Sequence, residues 1–321
     1  MARTIIRRIL ILIPQLIVLS LAMFLLADAM PGDAITGLAG QYASAEEIEA
    51  LRAAHGMGGA WYQQYFHWIG NILRGDFGRS LVHNASVVDL IGNRMANTLW
   101  LSLLSTIFTL AISFPLGIVA ARYARKWQDQ AILTYCFVTQ AIPTIGLAIL
   151  SIWILALRLG WFPRGGSVNV LIPPDDTMAI FFSRVHHLLL PALVLAVLNN
   201  LFTIFTLRAQ IIENSSSAYV TTAKSKGVPS RVIYSKHILR NSLLPFAQGI
   251  PFLVIGLLSG SVFIERLFSY PGMGDLFVGS LVARDFTVAN ALIIMYGFLT
   301  VIGILLGDII LTALDPRIKV K

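Results

Sequence analysis

The most regular pattern in the chain is a series of long apolar runs that contain no Asp, Glu, Lys or Arg. They occupy residues 9–27, 95–121, 130–157, 188–207, 241–264 and 286–307. A helix that crosses the hydrocarbon core of a bilayer needs about 20 residues, and each run supplies roughly that length. The pattern therefore predicts an all-α integral membrane protein with six transmembrane helices.

The composition agrees with a membrane protein. Hydrophobic residues make up 56% of the chain and charged residues 12%, and the mean hydropathy is +0.76, whereas soluble domains carry about 25% charged residues. The N-terminus places Arg3, Arg7 and Arg8 before an apolar run, which has the form of a secretory signal. Because five further spans follow, we expect an uncleaved first helix.

Lys and Arg are distributed unevenly between the two sides that six spans create. The N-terminus, the second and fourth loops and the C-terminus hold 15 of the 24, and the other three loops hold 9 together with twelve of the 16 acids. Basic residues favour the cytoplasmic side, so we expect both termini in the cytoplasm. The basic residues flank the spans and do not form a separate domain with stacking aromatic residues. This distribution does not favour nucleic-acid binding.

The spans divide the chain into three sections. Residues 1–30 hold the N-terminus and first span, residues 31–94 form an extracytoplasmic segment, and residues 95–321 hold the core with spans two to six. In the middle section, Ser44 and Glu47 form a capping-box pattern that predicts a short helix. A following cluster of aromatic residues is typical of the membrane–water interface, although ligand stacking is an alternative: Trp61, Tyr62, Tyr65, Phe66 and Trp68.

The fourth loop, within residues 208–245, is the longest polar interruption in the second half and carries six Lys or Arg. Its Ser and Asn residues at 214–217 are typical of a helix start. Tyr219, Ala223 and Gly227 recur every four residues, which places them on one helix face. Gly227 can adopt the left-handed conformation that ends a helix, and Pro229 can begin the next. The loop therefore predicts two short helices joined by a bend, with small residues that let another surface approach.

Polar side chains also occur inside the predicted spans, where they must face protein or water. Ser102, Ser105 and Thr109 lie on one stripe of the second span. Pro143 and Pro251 lie inside spans three and five, where they would kink the helices or mark a break whose freed backbone groups find other partners. The remaining candidates are spread over spans three to five: Gln140, Asn199, Asn200, Thr203 and Gln248. Such side chains could line a translocation path, or they could bond to their own backbone and to neighbouring helices.

The sequence lacks the motifs of several catalytic and metal sites. It has no GxxxxGK[ST] loop, no HExxH and no CxxC, and its six His show no metal-ligand spacing. We therefore expect a non-catalytic chain that binds no cofactor itself. An ion-driven carrier would need buried acids or broken helices in matching repeats, and the spans offer one marginal acid, Asp308. A purely structural scaffold is the third class, which the polar residues inside the spans disfavour.

Several short motifs are spread in a fixed order along nearly the whole chain. They are MPGD at residues 30–33, GDFGRS at 75–80, YVTTAKSKG at 219–227 continuing to RNSLLP at 240–245, FSYPGMG at 268–274 after Glu265, and LDPR at 314–317. The set resembles the B-type permeases of ABC importers for dipeptides, oligopeptides and nickel. The third motif resembles the EAA loop of that family, although Thr221 and Thr222 stand where the general motif has Glu and Ala.

The resemblance implies the ABC type I importer permease fold in the cytoplasmic membrane of a bacterium or archaeon. It implies a C-type permease as partner, two cytoplasmic ATPase subunits that bind ATP and Mg, and an extracytoplasmic substrate-binding protein. Peptides are the implied substrate, oligopeptides before dipeptides, with nickel or another small solute as the alternative. It also assigns the contact with the ATPase to the fourth loop, at Tyr219, Thr222, Ala223, Lys224, Lys226, Gly227 and Arg231.

Overall fold

The computed structural model describes residues 10, 13–22, 24–25, 44, 60–80, 82–246 and 262–314, with side chains up to residue 306. Several sequence predictions lie outside these residues. They are the MPGD motif, the short helix predicted from the capping box, most of the fifth span with Gln248 and Pro251, and the C-terminal LDPR motif beyond its first residue.

The described residues are mostly helical. The first half contains α1 (Ile13–Ala22), α2 (Trp61–Leu73), β1 (Arg79–Ser80), β2 (Ala85–Ser86), α3 (Val87–Arg122), α4 (Trp127–Ala141) and α5 (Thr144–Ser151), which continues as a π-helix over Ile152–Arg158. The second half contains α6 (Thr177–Ser215), α7 (Ala218–Ser225), α8 in three consecutive segments (Ser230–Val232, Ile233–Leu239 and Arg240–Ser242), α9 (Val262–Leu267), α10 (Met273–Val282) and α11 (Phe286–Leu314).

Within the described residues, three helices are long and apolar enough to cross a membrane: α3, α6 and α11. They coincide with the second, fourth and sixth predicted spans. The third predicted span is divided into α4 and α5, which meet at an angle of 96°. Pro143 immediately precedes α5, where its ring and missing N–H prevent a continuous helix. The third span is therefore a broken span or a re-entrant segment, and a break is one of the two effects expected of Pro143.

Helices α3 and α6 form the centre of the fold and run in the same direction. Ser113 of α3 contacts Asn200 of α6, and Gly117, one turn further, lies against Leu207. A Cβ added at Gly117 would lie 3.1 Å from Leu207 Cδ2, so the glycine allows this close approach. The parallel arrangement brings the ends of both helices, and the loops that follow them, to the same side of the molecule.

Buried apolar residues form three clusters along this pair. One lies at the ends where α3 and α11 begin and includes Val87, Met273 and Leu292. A second packs α3 and α6 with α5 and α9 and includes Leu101, Leu190 and Phe268. The third lies where α3 and α6 end and packs them against α7 and α8, through Leu207, Ile211, Val220, Ile233 and Ile238. The fourth loop is therefore packed onto the two central helices.

Candidate coupling surface and intramembrane polar residues

The fourth loop folds into two short helices with a sharp bend, which confirms the sequence prediction. Helix α7 ends at Ser225, and Gly227 has a φ of +72°. Nothing lies within 4 Å of a Cβ added at Gly227, so backbone conformation rather than space favours glycine there. Pro229 precedes the first residue of α8. We refer to residues 218–242 as the α7–α8 element.

The serines before α7 terminate α6 and do not cap α7 with their side chains. Ser215 and Ser216 donate hydrogen bonds to the carbonyls of Ile211 and Glu213 at 2.6 and 2.8 Å. Ser217 stands at the cap position of α7, but its hydroxyl accepts no hydrogen bond from the first turn of that helix. These hydroxyls bond to carbonyls in the last turns of α6, where the carbonyl of Glu213 also accepts the backbone N–H of Ser216 at 3.2 Å.

The structure separates the residues proposed for ATPase contact into one that packs inward and six that are exposed. Ala223 is partly buried and packs with Val220 against the ends of α3 and α6. The other six are exposed: Tyr219, Thr222, Lys224, Lys226, Gly227 and Arg231. The small side chain expected to admit a partner instead holds α7 on the rest of the chain, and the surface open to a partner is polar and basic.

The α7–α8 element is basic without acidic partners. Its Lys and Arg side chains are all exposed, and in the described part of the chain none forms an ion pair: Lys224, Lys226, Arg231, Lys236 and Arg240. Between Arg208 and Glu265 the sequence has a single acid, Glu213. The positive charge of this surface is therefore available to an acidic partner.

An ion pair that the sequence patterns did not predict fixes the C-terminal part of α6. Arg208 of α6 donates two hydrogen bonds of 2.7 Å to the carboxylate of Asp129 at the start of α4. Asp129 is 1% exposed and also accepts the backbone N–H of Arg125 at 2.7 Å. The bidentate geometry sets the position of α6 relative to the loop between α3 and α4.

The α3 stripe is buried within the chain. Ser105 donates to the carbonyl of Ser102 at 2.9 Å, and Thr109 donates to the carbonyl of Ser105 at 2.8 Å. All three side chains are less than 10% exposed. Ser105 and Thr109 therefore bond to the backbone of their own helix, which matches one of the two interpretations left open by the sequence.

The adjacent residues Asn199 and Asn200 have different surroundings. Asn200 is 0% exposed, accepts the hydroxyl of Ser113 at 2.6 Å and donates to Tyr135 at 3.4 Å, so it connects α6 with α3 and α4. Asn199 points away from this contact and is exposed, as is Gln140 at the end of α4. Thr203, one turn after Asn199, is partly buried. Exposed amides within apolar spans are costly in lipid and therefore indicate contact with protein or water.

A buried carboxylate joins α9, α10 and α3 near the start of α3. Glu265 is 0% exposed and accepts hydrogen bonds from the Thr98 hydroxyl at 2.9 Å and from the N–H groups of Gly274 and Asp275 at 2.7 and 3.1 Å. Burial raises the pKa of Glu265 above its ordinary value, although these hydrogen bonds oppose the shift. The first turn of α10 thus receives its hydrogen-bond acceptors from Glu265 and, through the Met273 N–H, from Thr98.

The β1–β2 hairpin is attached to the start of α11 by a second carboxylate. Asp285, which is 0% exposed, accepts a hydrogen bond from the hydroxyl of Ser80, and His83 Nδ1 lies 3.1 Å from the same hydroxyl. Gly78 adopts a φ of +81° beside Thr287. The GDFGRS motif therefore forms a turn held against the start of α11, with Gly78 in close contact with Thr287.

Two models of known protein families match the chain. The model described as binding-protein-dependent transport system inner membrane component matches residues 113–320. A companion model for the N-terminal part of such membrane components matches residues 1–102. The chain belongs to this family. Its membership confirms the resemblance that the ordered motifs indicated.

Named relatives of this transport family match over the full length. The chain is 37% identical over 320 residues to the oligopeptide transport system permease protein AppB of Bacillus subtilis strain 168, which covers 99% of this chain and 100% of that protein. It is 33% identical over 322 residues to the glutathione transport system permease protein GsiC of Escherichia coli K12, with 100% of both chains covered.

The fold of this family member also resembles a solved transporter. A chain from the inward-facing MetNI methionine ABC transporter superposes with a TM-score of 0.55 at 15% identity, covering 71% of this chain and 97% of that chain. At this level of identity the similarity concerns the fold alone. The chain therefore shares its helical fold with a chain of that transporter.

Proposed function

We propose that the chain is the permease subunit of an ATP-driven importer of peptides, with oligopeptides favoured over dipeptides. The observation that carries this proposal is the full-length similarity to AppB, named as an oligopeptide permease, at 37% identity. The similarity to a glutathione permease supports the same class of substrate, because glutathione is a short peptide.

The assembly that we propose contains three kinds of partner for this chain. A homologous C-type permease completes the path, two cytoplasmic ATPase subunits bind ATP and Mg, and an extracytoplasmic protein delivers the substrate. This chain is then a non-catalytic subunit of the cytoplasmic membrane of a bacterium or archaeon. Six spans with both termini in the cytoplasm place the α7–α8 element on the ATPase side.

The exposed face of the α7–α8 element is the surface that we assign to ATPase contact. Its exposed hydroxyl and basic side chains, including Thr222, Lys226 and Arg231, have no carboxylate partner among the described residues. Such a surface complements an acidic groove on the ATPase. Movement of the groove during ATP binding and hydrolysis would then displace α7, and with it the ends of α3 and α6 against which α7 packs.

We assign the path to the exposed amides rather than to the buried hydroxyls. Gln140 and Asn199, with the partly buried Thr203 beside Asn199, present polar atoms at the surface of helices that lie in lipid. A peptide backbone offers matching N–H and C=O groups. Behind that surface, Asn200 joins α6 to α3 and α4 through Ser113 and Tyr135, and the hydroxyls of Ser105 and Thr109 bond to the backbone of α3.

Uptake by the reconstituted assembly tests the proposed function. The tagged chain would be purified with its partner subunits, reconstituted in liposomes with the binding protein, and supplied with ATP and labelled di-, tetra- and pentapeptides. We expect ATP-dependent accumulation of the longer peptides that persists when a protonophore collapses any proton gradient. Accumulation that needs a proton gradient and no ATP would contradict the proposal and favour a secondary carrier.

The same liposomes separate peptides from the alternative solute class. Labelled nickel, with and without a chelator, would be offered under identical conditions. ATP-dependent uptake of nickel without uptake of any peptide would overturn the peptide assignment while leaving the importer assignment in place.

A further inference from the structure

One side chain at the end of α6 contacts both helices of the α7–α8 element. Oδ1 of Asn214 accepts the hydroxyl of Tyr219 at 2.8 Å, and Nδ2 donates to the hydroxyl of Ser242 at 3.2 Å and to the carbonyl of Gln210 at 2.8 Å. Ser242 is 0% exposed, and its own hydroxyl donates to the carbonyl of Ile238 at 2.9 Å. A single amide thus joins α6, α7 and the last segment of α8.

The remaining contacts of α7 do not set its orientation. The hydroxyls of Thr222 and Ser225 donate to carbonyls of α7 itself. Val220 and Ala223 supply apolar packing, which resists separation but is not directional. Within the residues that the structure describes, the bond from Tyr219 to Asn214 is the one side-chain hydrogen bond from α7 to another helix, and hydrogen bonds are directional.

The position of Asn214 connects the proposed docking surface to two spans. Its own helix, α6, is the fourth span, and α8 leads along the chain into the fifth predicted span, residues 241–264. A force applied at α7 reaches α6 through the short linker at residues 216–217 and through Asn214. It reaches the end of α8 through Asn214 and the buried Ser242.

We propose that Asn214 is a positioning residue for coupling, whose amide makes α7 and the ends of α6 and α8 move as one body. The inference rests on the proposed function, because it presupposes that a partner acts on α7. Asn214 itself transmits the displacement and does not contact substrate or nucleotide. It went unnoticed in the sequence because Asn in a Ser-rich segment is equally typical of a helix cap.

Variants on either side of the amide test the proposal in the reconstituted transporter. Tyr219→Phe removes the hydroxyl that binds Oδ1, and Ser242→Ala removes the hydroxyl that binds Nδ2. Ser242 is fully buried, so its substitution cannot act through direct contact with the ATPase. Ser280→Ala is the matched control, because Ser280 is also 0% exposed and its hydroxyl donates to the carbonyl of Leu276 within its own helix, α10, outside the α7–α8 element.

The informative measurement is the amount of tetrapeptide taken up per ATP hydrolysed. We expect Tyr219→Phe and Ser242→Ala each to lower this ratio about fivefold, a change that corresponds to about 1 kcal/mol, the net value of one hydrogen bond. In Ser242→Ala, whose substituted side chain is buried, ATP hydrolysis and the amount of assembled complex should stay near wild type. Ser280→Ala should leave the ratio unchanged.

Other outcomes would overturn either the role of Asn214 or the proposed function, and the two can be told apart. A wild-type ratio in Ser242→Ala, or a loss of assembled complex at an unchanged ratio, would show that Asn214 has a structural role only and would overturn the proposal. Normal peptide uptake by the wild-type assembly in that experiment would leave the proposed function intact. If the wild-type assembly takes up no peptide with ATP, the proposed function fails and this proposal fails with it.

Discussion

Replacing Glu265 with alanine should strongly destabilise the end of the protein where α3 begins. The carboxylate accepts the N–H groups of Gly274 and Asp275, and both are left without an acceptor when it is removed. A buried donor without a partner costs about 1–3 kcal/mol, so the two together should cost about 2–6 kcal/mol. The hydroxyl of Thr98 can rotate, because hydroxyl donors are not fixed in direction, and adds little to this cost.

Glutamine at the same position is the discriminating comparison. Its amide oxygen can accept both N–H groups, and its NH2 group can donate to the oxygen of Thr98, so Glu265→Gln keeps every pairing and loses only the charge. Burial disfavours the ionised carboxylate, so loss of the charge offsets part of the hydrogen-bond strength that is lost, and we expect glutamine to cost less than about 1 kcal/mol. Wild type and Glu265→Gln should both be more stable than Glu265→Ala.

Thermal unfolding of the purified protein in detergent measures this order, at one scan rate for all variants. For domains of 150–250 residues, 1 kcal/mol corresponds to about 2–4 °C, so Glu265→Ala should lower the apparent Tm by at least about 4 °C. Glu213→Ala is the control, because that carboxylate is exposed. Equal Tm values for the Ala variants at 265 and 213 would refute the capping role assigned to Glu265.

Four further predictions concern other parts of the molecule. Asp129→Ala leaves the partly buried Arg208 without its partner and should lower the apparent Tm more than the double variant Asp129→Ala/Arg208→Ala, which thermal unfolding can measure. Asn200→Ala should lower Tm by the equivalent of about 1–3 kcal/mol because Ser113 loses its acceptor, whereas Asn199→Ala should leave Tm unchanged and alter peptide uptake. Gly227→Val places a β-branched residue at a φ of +72° and should lower peptide uptake, while Gly227→Asn, which tolerates that conformation better, should retain more of it. Burial raises the pKa of Glu265 above 4.5, so the folded state binds this proton more tightly than the unfolded chain does. The stability of the wild type relative to Glu265→Gln should therefore rise as pH is lowered from neutral towards 4.5. A stability difference that falls over this pH range would contradict the shift.

Hydropathy and turn residues predicted the features that depend on local sequence. The apolar runs located α3, α6 and α11, Gly227 and Pro229 located the bend between α7 and α8, and Pro143 located the break between α4 and α5. Each of these depends on residues that are neighbours along the chain, where propensity acts directly. The magnitude of the break could not be predicted, because proline interrupts a helix without determining the angle between its two parts.

The sequence could not predict how each helix is rotated about its own axis. Asn199 and Asn200 are adjacent and equally polar, yet about 100° of helical rotation turns one outward and buries the other against Ser113. The same limit applies to α7, where spacing identified a small-residue face but could not show that Ala223 packs inward. Partners far apart in the chain, such as Thr98 with Glu265 or Asp129 with Arg208, carry no local pattern that could reveal them.

The contact between α7 and an ATPase is the central claim of the proposed function, and site-directed cross-linking tests it most directly. Cys136 is the single cysteine of the sequence and is buried. In a Cys136→Ser background, cysteine would be placed at Thr222 on the exposed face of α7 or at Leu73 of α2, which is 83% exposed and is predicted to lie on the opposite side of the membrane. Both variants of the assembled transporter would be labelled with a maleimide–benzophenone reagent and irradiated. We expect Thr222→Cys to cross-link to the ATPase subunit and Leu73→Cys not to do so; a cross-link to the ATPase from Leu73→Cys, or none from Thr222→Cys, would contradict the claim.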